Sequence, residues 1–266
     1  MFSAMDRKKK FGITRRTGLL LIFLVVAMGF LILGPDIPET WAAGNNAEEF
    51  DETAVFFEYN STDLDLGLHI FFDATGWEKV DVKGPNGTTF SVKNGGSLKK
   101  IGSTEVFTES AEPPLDEENL EESIAAFLAM FPEGEYSFEG KTVDGLKLEG
   151  TATLTHDLPV PVSLDVGAFP FVEWTDNSEA GDPEIIGYEV VVEMVVEDPL
   201  VEERVLVNTA TFPASVTSFT VSPEFAALIA DFETAGELLE LKVEVIATEA
   251  SGNRTITEEV LFEAEE

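Results

Sequence analysis

With 266 residues, 44% hydrophobic side chains and 21 Phe, the chain can bury one large core or two ordinary ones, so it is not a disordered acidic tail. Sixteen Lys and Arg stand against 51 Asp and Glu, a formal net charge of −35, which argues against a nucleic-acid partner because phosphate backbones are held by clustered cations. The absence of Cys excludes a disulfide framework, a thiolate metal site, a thiol nucleophile and a lipid-modified cysteine.

The chain opens with a basic stretch, Arg7 to Lys10 plus Arg15 and Arg16, followed by an uncharged apolar run from Gly18 to Gly34 and by Pro35, Pro38, Ala42 and Ala43. Those three parts predict an export signal over residues 1–43, and Thr14-Arg15-Arg16 ahead of Gly18-Leu19-Leu20 resembles a twin-arginine signal. Retained rather than cleaved, the same run at 18–34 is an N-terminal anchor at the short limit of a bilayer span. Either way the remainder is expected outside the cytoplasm, periplasmic or extracellular. Beyond residue 43 there are ten Lys or Arg and 48 Asp or Glu, a net charge of −38. Such a charge keeps a protein soluble and strains its compact state by self-repulsion, the signature of a surface suited to a saline medium.

Residues 44–53 read as a polar linker, and from Ala54 the chain alternates with the strand period. Leu64, Leu66, Leu68, Ile70 and Phe72 share one face, Asp63, Asp65, Gly67, His69 and Asp73 the other. Further strands are expected at 78–83, 88–93 and 105–109, with Pro85-Asn86-Gly87 as a hairpin turn. Asp116 caps a predicted helix over 116–131, carried by Leu120, Ile124, Phe127 and Leu128 and stopped at Pro132. A hairpin over 135–155 follows, turning at Val143-Asp144-Gly145. The first β-rich domain, 54–157, ends at Thr155-His156-Asp157-Leu158-Pro159-Val160-Pro161, whose prolines predict a semi-rigid joint.

The second domain, 158–266, offers strand-like segments at 160–166, 169–174, 186–196, 205–212, 218–221, 239–248 and 255–262, and Ser222-Pro223-Glu224 opens a short helix. Seven short strands at this spacing predict a β-sandwich. Trp174, Gly187-Tyr188-Glu189-Val190, Thr217-Ser218-Phe219-Thr220-Val221 and Val243-Glu244-Val245-Ile246-Ala247 resemble the second, third, fifth and sixth strands of a fibronectin type III domain. Leu241 departs from that family where a Tyr is usual, and the 222–236 connection is longer than usual. The fold class expected is therefore mainly β, a sandwich-like sheet domain with one helix before a fibronectin type III-like seven-stranded sandwich. The first domain resembles no known family by its residues.

Chemistry-bearing patterns are sparse. His69 shares a strand face with Asp65 and Asp73, but four residues of strand put each about 13 Å away, too far to chelate with it, so His69 is expected on the surface and His156 in the joint. Asp63-Leu64-Asp65-Leu66-Gly67 fails the calcium-loop template at its fifth, sixth and twelfth places. Ser97-Leu98-Lys99-Lys100 has serine–lysine spacing without its companion motifs, and Glu109 with Glu112 is one of many acid pairs such a composition must contain. Trp77, in the turn-like Thr75-Gly76-Trp77, is expected to be a core plug closing a sandwich end; it and Tyr136 are also the aromatic candidates for stacking on a sugar. Asn60, Asn86 and Asn253 head glycosylation-type triplets that read as exposed turns.

No catalytic, cofactor or metal residue is predicted. What the resemblance implies is an exported, non-enzymatic binding, scaffold or spacer protein, with a protein or carbohydrate partner and membrane association only through an uncleaved leader. Carbohydrate binding by the first domain, and a hydrolase built on carboxylates or His69, are the alternatives.

Overall fold

The computed structural model describes residues 47–264; the predicted leader and anchor fall outside them. Among the described residues no helix is long and apolar enough to cross a membrane. The protein is mainly β, with fourteen strands and three short α-helices among the described residues. β1 (Ala47–Glu49), β2 (Glu52–Asn60), β3 (Asp65–Gly84), β4 (Gly87–Lys93), β5 (Ser103–Glu109), β6 (Gly134–Thr142) and β7 (Lys147–Leu154) make the first half. Helix α1 (Leu98–Ile101) precedes β5, and α2 (Leu120–Leu128) follows a 3-10 turn at Glu117–Asn119, so the predicted helix is shorter and starts tighter than expected. Asp116 does cap this segment, accepting from the Glu118 amide at 3.1 Å.

Residues 47–53 are not a linker. β1 pairs in parallel with β7, Phe50 is buried, and β2 begins at Glu52. Nor is there a turn at Trp77: β3 runs unbroken for 20 residues, pairing through 65–73 with β2, through 79–84 with β4 and through 77–83 with β6. The change of partners falls near Gly76, where a side chain would meet the Ile101 carbonyl oxygen at 2.9 Å, and Gly102 opposite it has φ +81°. Two backbones pass closer there than any Cβ permits.

The second half contains β8 (Ser163–Ala168), β9 (Phe171–Thr175), β10 (Ile185–Asp198), β11 (Glu202–Pro213), β12 (Ser218–Thr220), α3 (Pro223–Ala235), β13 (Leu238–Glu249) and β14 (Arg254–Glu263). Helix α3 starts as its sequence dictates. Ser222 accepts from the Phe225 amide at 3.2 Å, Pro223 occupies the first turn, and Gly236 ends it in the left-handed region. Ser222→Ala is expected to lower stability by about 1 kcal/mol, read as a fall of a few degrees in Tm.

β12, β9 and β8 form a three-stranded sheet. The other, larger sheet runs β1-β7-β6-β3-β2-β14-β13-β10-β11, with β4 and β5 also on β3. Strict alternation divides its faces. One apolar cluster joins Phe57, Leu66, Phe72, Trp77, Phe138 and Leu154 with Phe127 and Leu128 of α2. A second, between the two sheets of the second half, joins Trp174, Tyr188, Val190, Met194, Val243 and Val245, with Trp174 edge-on to Tyr188 at 5.4 Å.

The two clusters share one sheet because β14 pairs antiparallel with β13 and parallel with β2, Arg254 opposite Glu58 and Ile256 opposite Asn60. Asn253, at the head of β14, locks this seam. Its Oδ1 accepts from the Phe57 amide at 2.8 Å, while its Nδ2 donates to the carbonyls of Thr155 and Asp157, each at 3.1 Å. Thr255 Oγ1 donates to the Pro159 carbonyl at 2.7 Å. Asn253 is wholly buried and Asn60 nearly so, which corrects the expectation that both mark exposed turns; Asn86 is exposed. His156 sits in the joint as expected, its Nε2 at 2.8 Å from the Phe131 carbonyl and its ring edge-on to Phe57.

Candidate functional site

The face of the large sheet turned away from both apolar clusters carries charge. Pairing fixes its members: Glu109 opposite His69, His69 opposite Phe56, Glu58 opposite Arg254, Glu258 opposite Glu244, and Lys242 opposite Glu193. Partners directly across strands project to one side, so β5, β3, β2, β14, β13 and β10 contribute to a single polar band. It is not a loosely solvated surface. His69 is fully buried, against the surface position expected of it, and Glu58 is buried beside it.

Two cations organise the band. Arg254 lies 3.6 Å from Glu58 and 4.8 Å above the centre of the Phe56 ring. Phe56 in turn stacks on His69 at 5.0 Å. Lys242 lies 2.7 Å from Glu244, 3.6 Å from Glu258 and 3.9 Å from Glu193. Burial works against the Lys242 charge, but these three carboxylates more than offset it and raise its pKa.

Acids nonetheless outnumber cations, and their protons are held tightly. Burial pushes Glu58 up to about 7 against the pull of Arg254, and Glu193 up to about 7 against that of Lys242. Asp65 rises to about 6 through burial and the charges of Glu112 and Asp63. Burial, then Arg254, push the His69 imidazole down to about 3. His69 Nε2 is 3.9 Å from Glu58 Oε1, but with the ring neutral this is a packing contact and not an ion pair.

At the β5 end, His69, Glu109 and Glu112 converge, one ligand-type atom from each lying within 4.8 Å of the other two. Register explains the first pair. Glu112 comes from the segment after β5, which is pinned at both ends: the Ser110 amide donates to the Leu68 carbonyl of β3 at 2.9 Å, and the Leu115 amide to the carbonyl of Leu64, just before β3, at 2.7 Å. Gly67 leaves the room, since a Cβ there would lie 2.9 Å from Glu112 Oε1. Burial, the hydrogen bond to Glu109, and the Glu109 and Asp63 charges push Glu112 up to about 8.

Other candidates part company with this cluster. Asp63 lies in the turn before β3, within 3.4 Å of Asn60 Nδ2, and Asp65 begins β3. Asp73 pairs with Glu52 and Glu105 further along β3. Ser97 precedes the one-turn helix α1, carrying Lys99 and Lys100. Trp77 and Tyr136 are core residues, each 1% exposed, so neither ring can stack on a sugar. Ligand-type oxygens of Glu109 and Glu112 lie within 4.8 Å of each other, closer than the about 5–9 Å that flanks a glycosidic bond. A shallow open depression of about 590 Å³ beside β1, lined by Glu48, Phe50, Thr53, Phe138 and Gly150 among others, gathers no such set.

Glu58, Arg254, Lys242 and Glu193 are the site residues that sequence reasoning passed over. The available signal was composition: Arg254 and Lys242 are two of the ten cations beyond residue 43, Lys242 between Leu241 and Val243 and Arg254 just before Thr255 and Ile256.

The fold and this band define a mainly β protein with two apolar clusters on a shared sheet. No family model matches the chain, and no curated protein matches it. Among solved structures it is similar to a chain from work on host cell surface retention of a 1.5-MDa bacterial ice-binding adhesin, at 14% identity and a TM-score of 0.23 over 80% of this chain. It is also similar to a tetra-tandem repeat from the extending region of a large adhesion protein, at 15% identity and a TM-score of 0.22, again over 80% of this chain. The match spans 64% and 50% of those two chains.

Proposed function

We propose that this is an exported, non-enzymatic binding or spacer protein that holds two β modules at a fixed separation, the second of them fibronectin type III-like. The observation that carries the reading is the β14–β2 pairing, which continues one sheet beneath both apolar clusters. A spacer has to resist bending between its modules, and backbone hydrogen bonds across the seam do this better than a tether. The family resemblance is supported by strand order: Trp174 on β9, Tyr188 on β10, Phe219 on β12 and Val245 on β13 occupy the second, third, fifth and sixth strands of the sandwich. Helix α3 fills the long connection before the sixth strand, and Leu241 is buried where a Tyr is usual. Export is supported by the basic and apolar leader read from residues 1–43.

Rigidity is the testable property. The chain has no Cys, so spin labels can be placed cleanly at N86C, in the β3–β4 turn, and L200C, in the β10–β11 turn, both exposed. Double electron–electron resonance is expected to give one narrow distance distribution. A broad distribution would mean two modules on a tether and would overturn the spacer reading.

A further inference from the structure

We propose that His69, Glu109 and Glu112 form a binding site for a divalent first-row transition cation. The proposal stands apart from the spacer reading, since a rigid seam and a loaded site can each exist without the other. Its basis is convergence from three separately anchored pieces of chain. β3 supplies an imidazole nitrogen, β5 supplies the carboxylate directly across from it, and the pinned segment after β5 brings the third ligand over Gly67. Ligand atoms around a tetrahedral Zn²⁺ are about 3.4 Å apart; the present set lies within 4.8 Å, so small rotations of two half-buried Glu side chains complete the geometry.

The donor chemistry selects the class of ion. One imidazole and two carboxylates suit Zn²⁺, Co²⁺ or Mn²⁺, whereas Ca²⁺ takes six to eight oxygens and gains nothing from a nitrogen. The imidazole is buried, stacked on Phe56 at 5.0 Å and packed against the tilted ring of Phe107 at 5.4 Å, so neighbours on two sides orient it. Glu109 and Glu112 keep partial exposure, which provides an entry path and leaves the remaining coordination positions to water. Around the three ligands Asp63, Asp65 and Glu58 add negative potential, and Arg254 is the nearby cation. An added dication therefore relieves repulsion rather than creating it.

The test uses the purified full chain, stripped with chelator and titrated calorimetrically with ZnCl₂ and, separately, CaCl₂. One Zn²⁺ per chain is expected, with E112Q weakening it about tenfold or more, and D144N, in the exposed β6–β7 turn, leaving it unchanged. Co²⁺ is expected to give visible d–d bands in the wild-type protein that are lost in E112Q. E112Q sits on an edge segment and is checked for native circular dichroism, so a loss of binding is read on folded protein; H69Q adds a second reading where it folds. Absence of Zn²⁺ heat, Zn²⁺ binding that E112Q leaves intact, or Ca²⁺ binding as strong at these residues would each overturn the proposal.

Discussion

Asn253→Ala is expected to destabilise the protein by about 3–5 kcal/mol, more than any surface change, because one side chain satisfies several buried backbone groups at once. Truncation would orphan the Phe57 amide and take a donor from the Thr155 and Asp157 carbonyls. Each buried group left unpaired costs about 1–3 kcal/mol. Asn253→Asp is expected to be no milder: its second oxygen cannot donate to either carbonyl, and it brings a charge beside the buried Glu249. Urea denaturation measures both variants. A midpoint within error of wild type for Asn253→Ala would show that the seam is not held by this residue. A change in the slope as well would show that the two clusters had begun to unfold separately.

This residue also shows what the sequence could and could not disclose. Period-two alternation in Leu66, Leu68, Ile70 and Phe72, the Asn86-Gly87 turn and the Ser222-Pro223 helix start are local signals, and the strands and helix α3 follow them. The β14–β2 seam is not local. It joins residues almost 200 positions apart through parallel pairing, and alternation says which face a residue occupies without saying which strand lies beside it. For the same reason Asn253 read as an exposed turn residue and residues 47–53 as a linker, although the former is wholly buried and the latter lie in or beside β1 and β2. The polar band is the clearest case. Alternation over 63–73 puts His69 on the face opposite Leu66, Leu68 and Ile70, and a polar residue on that face is expected to reach water. The band buries those side chains against one another instead. His69 could be placed relative to Asp65 and Asp73 by strand rise alone, whereas its actual neighbours, Glu109 and Glu112, arrive from about 40 residues further along.

Metal-free protein is expected to melt lower at pH 8 than at pH 5.5 by on the order of 10 °C in low salt, the reverse of what salt-bridged carboxylates produce. Glu193 and Glu58 are each held near 7 in the folded protein, and Asp65 near 6, chiefly by burial, while the unfolded chain returns them to the ordinary carboxylate range. A carboxyl whose pKa is raised on folding binds its proton more tightly in the native state. Stability is therefore greatest where both states are protonated, and falls as pH rises from about 4.5 through about 7. Glu193 and Asp65 keep some contact with solvent, which reduces the effect below its full electrostatic value, so the summed loss is about 2–4 kcal/mol. Self-repulsion among 48 acids and ten cations adds in the same direction, because it too grows as these groups ionise. Added salt shortens the range of that repulsion to about 3 Å at 1 M; it should raise Tm at pH 8 and do so less at pH 5.5. The contributions separate by substitution. Glu193→Gln removes one buried titration while leaving most of the surface charge, and is expected to flatten the pH dependence without abolishing the salt response. Scanning calorimetry with chelator at both pH values and two salt concentrations measures all of this. A Tm that rises from pH 5.5 to 8 would show that the band's acids are stabilised as anions, and that Arg254 and Lys242 outweigh the cost of burying them.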